Sequence, residues 1–241
     1  MKTVAGQHKN LYVKSNSPLD DIDGNSRKTL ISLSGGKDST AMLLMMLERG
    51  EQIDHVYFFD TEWEWPEVYA NIALLESNTG IHIDRIRSYR PFDDLVRVWG
   101  LPKSAGGWCT AKKRDVSMVY ERAVGATEIC IGFAADEIDR SQRPTIGHRR
   151  SKRNVTVRYP LIEYGITEQH ALEYCYSKGY RWNGLYEKLP HLGCIWCPKG
   201  GKTQLKFLQN NFPEHFARYL ELQKISDSRK GTPSNDLGLK I

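Results

Sequence analysis

The chain has no apolar run long enough to cross a bilayer: the longest, residues 41–47, falls far short of the roughly 20 residues that a membrane helix needs. Its polar start, MKTVAGQHKN, has no apolar core of a signal peptide behind it. The cysteines number five, and an odd number without a secretion signal argues against a disulfide framework. We therefore expect a protein of the reducing cytoplasm with no membrane partner.

The sequence also lacks an internal repeat and any strong excess of one charge. A formal net charge of +5 permits a polyanionic partner such as nucleic acid, although nucleotide-binding enzymes can also be basic. A hydrophobic content of 40% is enough for a packed core, so the chain is not disordered. The length of 241 residues suits one α/β domain, or a domain with a small appendage.

Apolar and helical segments alternate through the first half of the chain. Strands are predicted at residues 29–34, 54–60, 81–86 and 127–133. Helices are predicted between and after them at 38–49, 66–78, 91–99, 110–124, 167–177 and 213–226. This alternation favours parallel βαβ units and therefore an α/β fold with a doubly wound, mostly parallel sheet. Residues 139–158 are crowded with Arg and Lys and predict a mobile loop.

The segment SGGKDST, residues 34–40, follows the first strand and precedes a helix. Its glycines allow the backbone to approach a ligand closely, and the helix N-terminus offers unpaired N–H groups. The hydroxyls add donors and the lysine adds a full charge. The candidate ligands are Ser34, Gly35, Gly36, Lys37, Asp38, Ser39 and Thr40. The segment predicts a phosphate-binding loop without Walker A spacing; the alternative is a plain turn in which Asp38 or Ser39 caps the helix.

The second strong feature is Cys194-x-x-Cys197, flanked by glycine and proline. Two thiolates at this spacing can face one metal, which indicates metal or redox chemistry. Cys109 offers a third thiol near a helix start and is followed by three cations, which favour a thiolate. His191 could complete a structural Cys3His zinc site. The remaining cysteines, Cys130 and Cys175, have the pattern of buried hydrophobic residues.

These motifs together resemble a known family. SGGKDST resembles the pyrophosphate (PP) loop of the adenine nucleotide α-hydrolases, and Asp60 with Thr61 resembles their acidic strand end. Residues 132–140 (GFAADEIDR) resemble the Gly-x-x-x-x-Glu-x-x-Arg segment of the phosphoadenosine phosphosulfate (PAPS) reductase branch, and 159–161 (YPL) also suits it. The resemblance covers roughly residues 28–200 and implies an adenine nucleotide α-hydrolase-like fold. It also implies further nucleotide contacts from Asp60, Gly132, Asp136 and Arg140.

In this branch and its sulfur-inserting relatives, an upstream cysteine and a CxxC hold a [4Fe–4S] cluster, which the resemblance assigns to Cys109, Cys194 and Cys197. Two departures argue against direct reduction of an adenylyl sulfate: Thr110 replaces a second upstream cysteine, and no cysteine follows Cys197. We therefore predict that Mg²⁺-ATP is cleaved between the α and β phosphates to adenylate a substrate, followed by sulfur transfer.

This prediction resembles the activity of tRNA-thiolating and DNA-phosphorothioating enzymes. It implies Lys37, Asp38 and Cys109 as catalytic residues, tRNA or DNA as acceptor, a sulfur or electron donor protein, and a homo-oligomer. The alternatives are a PAPS or adenylyl-sulfate reductase that releases sulfite, and a non-catalytic nucleotide-binding subunit. A structural zinc ion remains the alternative to the cluster.

Other features leave two interpretations open. The basic run at 148–153 (HRRSKR) suits phosphate contacts or a solvated loop. Trp63 and Trp65 could stack on adenine or simply pack, and Asp136 and Glu137 could bind Mg²⁺ or ribose, or pair with arginines. The predicted organisation is a polar lead-in (1–27), a nucleotide-binding domain (28–185), a cysteine-bearing segment with a terminal helix (186–226), and a flexible tail (227–241).

Overall fold

The computed structural model describes residues 27–103, 107–142 and 154–228. Its strands form one five-stranded sheet in the order β3-β2-β1-β4-β5, and every neighbouring pair is parallel. The strands are β1 (Thr29–Leu33), β2 (His55–Asp60), β3 (Ile83–Arg87), β4 (Glu128–Ile131) and β5 (Thr156–Arg158). The predicted α/β fold with a parallel sheet is confirmed.

The helices cover both faces of this sheet. They are α1 (Lys37–Glu48), α2 (Pro66–Thr79), α3 (Phe92–Trp99), α4 (Trp108–Ala123), α5 (Ile138–Ser141), α6 (Pro160–Glu163), α7 (Glu168–Ser177), α8 (Gly201–Asn211) and α9 (Pro213–Asp227). Short 3-10 segments lie at Ala135–Glu137, Trp182–Glu187 and Pro198–Gly200. No helix in the described ranges is long and apolar enough to cross a membrane.

The two faces of the sheet bury two separate hydrophobic clusters, because successive strand residues point to opposite sides. On one face, Ile31 and Phe58 pack with Met42 and Met46 of α1 and with residues of α2 and α7. On the other face, Leu30 and its neighbours in β2 pack with α3 and α4. Strands buried on both faces read as continuous apolar runs, as TLISL does in β1.

The central position of β1 fixes where a ligand can bind. β1 pairs with β2 on one side and with β4 on the other. The chain leaves β1 toward β2 and leaves β4 toward β5, so these two connections run in opposite directions. This divergence opens a crevice at the carboxyl edge of the sheet, which is where doubly wound folds bind ligands. Residues 34–36 begin at this point.

The prediction of a mobile loop at residues 139–158 is partly wrong. Helix α5 occupies its first residues, and β5 near its end pairs with β4 as the fifth strand. The strand was missed because it is only three residues long and its sequence, TVR, is not apolar. Its Arg158 is held by carboxylates of Glu51, Glu128 and Glu163 instead of by an apolar face. The basic run at 148–153 lies outside the described residues.

The C-terminal segment contributes to both hydrophobic clusters that flank the sheet. Residues Leu205, Leu208, Phe216 and Tyr219 join the cluster that contains α1, while Leu222 joins the other. Helix α8 was not predicted, and α9 lies where a helix was expected. The segment after residue 185 therefore packs against the sheet and its helices.

Candidate functional site

The loop after β1 is organised by its own hydroxyls. Gly35 has a φ of 75°, a left-handed conformation that favours glycine, and turns the chain into α1. The Ser39 hydroxyl accepts a hydrogen bond from the Ser34 amide at 3.1 Å and lies 2.9 Å from the Ser34 hydroxyl oxygen. The N-cap of α1 is Gly36 and makes no side-chain cap bond, so neither Asp38 nor Ser39 caps this helix. The geometry of the loop and of the helix N-terminus is of a kind that suits an anion.

Lys37 lies inside an ion-pair cluster. Its Nζ donates to both carboxylate oxygens of Asp38, at 2.8 and 3.0 Å, and to Oε2 of Glu168 at 2.9 Å. Only 4% of the lysine is exposed. Burial opposes its charge, but Asp38 and Glu168 outweigh burial and raise the pKa of Lys37. Burial also raises the pKa of the Asp38 carboxyl, although Lys37 opposes that shift.

The loop offers some of its predicted ligands to solvent and keeps others inside. Ser34 is exposed, and Gly36 and Asp38 are half-buried. Thr40 is wholly buried, and its hydroxyl accepts from Nδ2 of Asn71 at 3.1 Å. The surface of the loop is therefore formed by Ser34, Gly36 and Asp38, while Thr40 anchors α1 to α2.

Asp60 ends β2 and is buried. Its Oδ1 accepts from the Glu62 amide at 2.8 Å and from the Tyr69 hydroxyl at 2.7 Å. Burial, together with the bond to Asp60, raises the pKa of Tyr69. These bonds hold the Asp60 carboxylate, the predicted acidic strand end, in one orientation beside β1.

The segment after β4 approaches α1 very closely. A Cβ on Gly132 would meet Cα and N of Ser39 at 2.9 and 3.0 Å. Farther along, Asp136 accepts from the Glu168 amide at 3.0 Å at the start of α7. Arg140 pairs with Glu137 at 2.6 Å and lies 4.3 Å from the ring centre of Phe133. Glu137 therefore pairs with an arginine, as the salt-bridge interpretation proposes.

The three predicted cluster cysteines come from distant parts of the chain and share one neighbourhood. Cys109 lies in the first turn of α4, and Cys194 and Cys197 lie between α7 and α8. Cys109 and Cys194 both pack against the hydrophobic cluster that contains α3 and α4, and Cys197 follows Cys194 in the same short segment. The fold therefore brings thiols from the two parts of the chain to one region.

A buried carboxylate and a lysine accompany these thiols. Oε1 of Glu64 lies 3.5 Å from the Cys194 sulfur and accepts from the Thr61 hydroxyl at 2.7 Å. Burial, followed by Glu64, raises the pKa of Cys194 well above its usual value, and burial also raises the pKa of Cys197. Burial disfavours the charge on Lys113, but Glu64 and the cysteines raise its pKa.

The described residues do not form a ready-made site for a single metal ion. No three of their His, Cys, Asp or Glu side chains converge on a position that could hold one. A tetrahedral zinc site would need thiolates about 3.8 Å apart, from a Zn–S bond of about 2.3 Å. His191 lies 3.7 Å from Glu168, on the side of the phosphate loop. Thiols are donors that both zinc and iron–sulfur groups use, so the chemistry of Cys109, Cys194 and Cys197 fits either group.

The tryptophans and the other cysteines have packing roles. Trp63 and Trp65 are 4% and 0% exposed, and Trp63 packs edge-on against Trp196 at 5.3 Å. The packing interpretation therefore describes both tryptophans. Cys130 and Cys175 are fully buried, as predicted, and burial with Glu128 raises the pKa of Cys130 to about 12.

Three residues that contact the loop were not predicted as site residues from the sequence. Glu168 was read only as part of a helix, and Trp182 and Tyr186 lay in a segment with no predicted element. The Tyr186 hydroxyl accepts from the Lys37 amide at 2.8 Å, and the Trp182 indole donates to the Gly35 carbonyl at 2.8 Å. These contacts join residues about 150 positions apart, so only the folded chain reveals them.

Among known proteins, the chain is similar to a curated protein and to a solved structure. An uncharacterised protein of Methanocaldococcus jannaschii is 27% identical over an alignment of 229 residues, which covers 90% of this chain and 44% of that protein. The chain thus spans less than half the length of this curated relative. The structure of the U34-tRNA thiolase NcsA from Methanococcus maripaludis, with its [4Fe–4S] cluster, is 18% identical with a TM-score of 0.47. It covers 86% of this chain and 74% of the thiolase, a likeness too distant to carry function over.

The phosphoadenosine phosphosulfate reductase domain model matches residues 28–200, the same range over which the motifs resemble that family. This range begins just before β1 and ends after Cys197, so it contains the phosphate loop and all three grouped cysteines. The chain therefore belongs to the phosphoadenosine phosphosulfate reductase domain family.

Proposed function

We propose that the protein binds Mg²⁺-ATP at residues 34–39, cleaves it between the α and β phosphates to adenylate a substrate, and couples this step to sulfur transfer at its grouped cysteines. The observation that carries the proposal is the 3.5 Å contact between the Thr61 hydroxyl and the Cys194 sulfur. Thr61 directly follows β2, the strand beside the phosphate-loop strand β1. An adenylate formed at this sheet edge would lie close to the sulfur site.

The phosphate loop suits a pyrophosphate leaving group. The N-terminal amides of α1 and the exposed Ser34 hydroxyl would donate to phosphate oxygens, where negative charge increases as the bond breaks. Asp38 and Glu168 present partly exposed carboxylates to the same region. Mg²⁺ commonly uses one or two carboxylates together with substrate phosphates. We assign Asp38 and Glu168 that role, and Lys37 the role of balancing their charge.

The other residues that the family resemblance assigns to the nucleotide also belong to the proposal. Gly132 would keep β4 close enough to α1 for the loop to hold its shape, and Asp60 would face the nucleotide from the end of β2. Asp136 and Arg140 make protein contacts at the start of α7 and in α5. We propose that they border the nucleotide through these elements.

The chemistry divides into two balanced steps. A substrate oxygen attacks the α-phosphorus, the bond to the bridging oxygen breaks, and pyrophosphate leaves with the electron pair. Sulfide from a donor then attacks the activated atom, and AMP leaves with the former substrate oxygen. A [4Fe–4S] group held by Cys109, Cys194 and Cys197 would supply an open iron position for sulfide. The buried Lys113 would balance the negative charge of the thiolates.

The partners follow from this chemistry. A formal net charge of +5 favours a polyanionic acceptor, and we propose tRNA or DNA for that role. A sulfur or electron donor protein and a homo-oligomeric state complete the proposal.

A second function is favoured by the family match itself. A PAPS or adenylyl-sulfate reductase would hold its nucleotide at the same loop and release sulfite. Such an enzyme would turn over PAPS with a thioredoxin-type donor and would not convert ATP to AMP. The products therefore separate the two functions.

The test uses protein purified without oxygen. Iron, sulfide and zinc are measured, and the protein is incubated with Mg²⁺-ATP, sulfide and either bulk tRNA or DNA. We expect iron with inorganic sulfide, release of AMP and pyrophosphate, and sulfur incorporated into the nucleic acid. Cys197→Ser should lose iron and product together.

The matched control is Cys130→Ala, which removes a buried cysteine outside the site and should keep the iron content. A colourless, zinc-only protein would contradict the cluster. Sulfite from PAPS without AMP from ATP would establish the reductase instead. Tight ATP binding without any product, even with acceptor and donor present, would indicate a non-catalytic subunit.

A further inference from the structure

We propose that Trp182 and Tyr186 are positioning residues that hold the phosphate loop in its anion-binding conformation. This inference rests on the proposed function in that it takes the loop as the nucleotide site. Both residues belong to the 3-10 segment Trp182–Glu187, which follows α7 and packs behind the loop. Neither residue would contact the nucleotide, since both bond to the main chain of the loop.

The two side chains bond to the main chain on either side of Gly36. The Trp182 Nε1 donates to the Gly35 carbonyl at 2.8 Å, and the Tyr186 hydroxyl accepts from the Lys37 amide at 2.8 Å. Their rings pack edge-on with centres 5.0 Å apart, so the two contacts support each other. A Cβ on Gly36 would lie 2.9 Å from the Tyr186 oxygen, which leaves the loop no room to move toward it.

The backbone of this segment is strained in a way that serves these contacts. Trp182 and Asn183 have φ values of 45° and 50°, a left-handed conformation that residues other than glycine rarely adopt. Such conformations persist where the surrounding structure compensates for them. Trp182 is only 3% exposed and packs in the core around α1. The strain therefore keeps both side chains directed at the loop.

The consequence is a loop that is ordered before any ligand arrives. With the Gly35 carbonyl turned inward and the first amide of α1 fixed, the exposed Ser34 and the half-buried Gly36 keep their places at the loop surface. A ligand that meets an ordered site loses less free energy to ordering, so its affinity is higher. We infer that the 3-10 segment sets the affinity of the loop for pyrophosphate groups.

The test compares Tyr186→Phe with wild type. Amide hydrogen exchange is measured on ligand-free protein, and binding of Mg²⁺-ATP and of inorganic pyrophosphate is measured by calorimetry. We expect exchange at the Lys37 amide to rise at least about tenfold and affinity for both ligands to fall about five- to tenfold, as for one lost hydrogen bond. Trp182→Phe should lower affinity in the same direction.

The matched control is Tyr176→Phe, because the Tyr176 hydroxyl is buried yet makes no hydrogen bond within the described part of the chain. This variant should keep wild-type exchange and affinity. Unchanged exchange and affinity in Tyr186→Phe would overturn the inference. Tighter binding would also overturn it, because the hydroxyl would then compete with phosphate for the Lys37 amide. If wild type binds neither ligand, the proposed function fails, and the exchange measurement alone decides the positioning role.

Discussion

One methyl group added at Gly132 should displace the first turn of α1, because the contacts it would make are all with main-chain atoms. A Cβ there would lie 2.9 Å from Cα and 3.0 Å from N of Ser39, and 3.1 Å from the Asp38 carbonyl carbon. All three are main-chain atoms in the first turn of α1, so no side-chain rotation can relieve the contact. Reaching an optimal separation of about 3.5 Å requires α1 and the end of β4 to part by about half an ångström.

The expected cost of Gly132→Ala follows from this displacement. Overpacking of this kind costs about 2 kcal/mol of unfolding free energy, which corresponds to a Tm lower by about 4–8 °C for a chain of this size. Because the displaced turn carries the phosphate-binding amides, affinity for Mg²⁺-ATP should fall by about tenfold or more. Calorimetric binding and thermal unfolding measure the two effects on the same sample.

Gly125→Ala is the control for stability alone. Gly125 has a φ of 70°, and an added Cβ would meet no atom within 4 Å, so alanine there adds backbone strain without a steric contact. That strain is roughly 1–2 kcal/mol, comparable to the cost at Gly132. Gly125→Ala should therefore lower the Tm yet keep ATP affinity. If Gly132→Ala binds ATP as tightly as this control, the close approach of β4 to α1 does not shape the loop.

Three further substitutions test the fold and the charges around the loop. Glu76→Gln should lose about 1 kcal/mol at pH 7, because bonds from Arg85 and the Ile83 amide outweigh burial and lower the pKa of Glu76. That stability is present above the usual carboxyl pKa and is lost as pH falls through the lowered value, so the urea midpoints of the two proteins should converge as the pH is lowered; a constant difference contradicts this. Trp65→Ala should cost about 3–5 kcal/mol in urea unfolding, since Trp65 is wholly buried, and a cost below 1 kcal/mol would argue against this packing. Glu168→Gln removes a carboxylate from the Lys37 ion pair and should raise the Mg²⁺ concentration for half-maximal ATP binding several-fold, whereas an unchanged Mg²⁺ requirement would exclude Glu168 from that role.

The phosphate loop was predictable because its signal is local. Strand, glycine turn and helix follow one another within residues 29–48, so their order alone places the loop at the sheet edge. Glu168 and Tyr186 reach the same loop from 131 and 149 positions away. Nothing in their own neighbourhood distinguishes them from surface residues of a helix and a turn. Tertiary packing alone brings them to Lys37, and no local pattern records it.

Strand β5 was not predicted from the sequence, for a different reason. Sequence patterns detect strands by apolar alternation, but β5 is short and its Arg158 is stabilised by a network of ion pairs. Pairing with β4 provides the main-chain hydrogen bonds, and carboxylates from other elements satisfy the charge. An edge strand built this way looks like a polar loop in the sequence.

The C-terminal segment completes the site, although its sequence reads as an appendage. The Gln204 amide of α8 donates to the carbonyls of Cys194 and Ile195, at 2.8 and 2.6 Å. The Ile195 amide in turn donates to the Trp63 carbonyl at 2.7 Å, in the loop that follows β2. The CxxC is therefore tied on one side to the buried Gln204 of α8 and on the other to the carboxyl edge of the sheet. Because that edge also carries the phosphate loop, a displacement of α8 should move the cysteines relative to the nucleotide site, and the terminal helices belong to the catalytic unit that we propose.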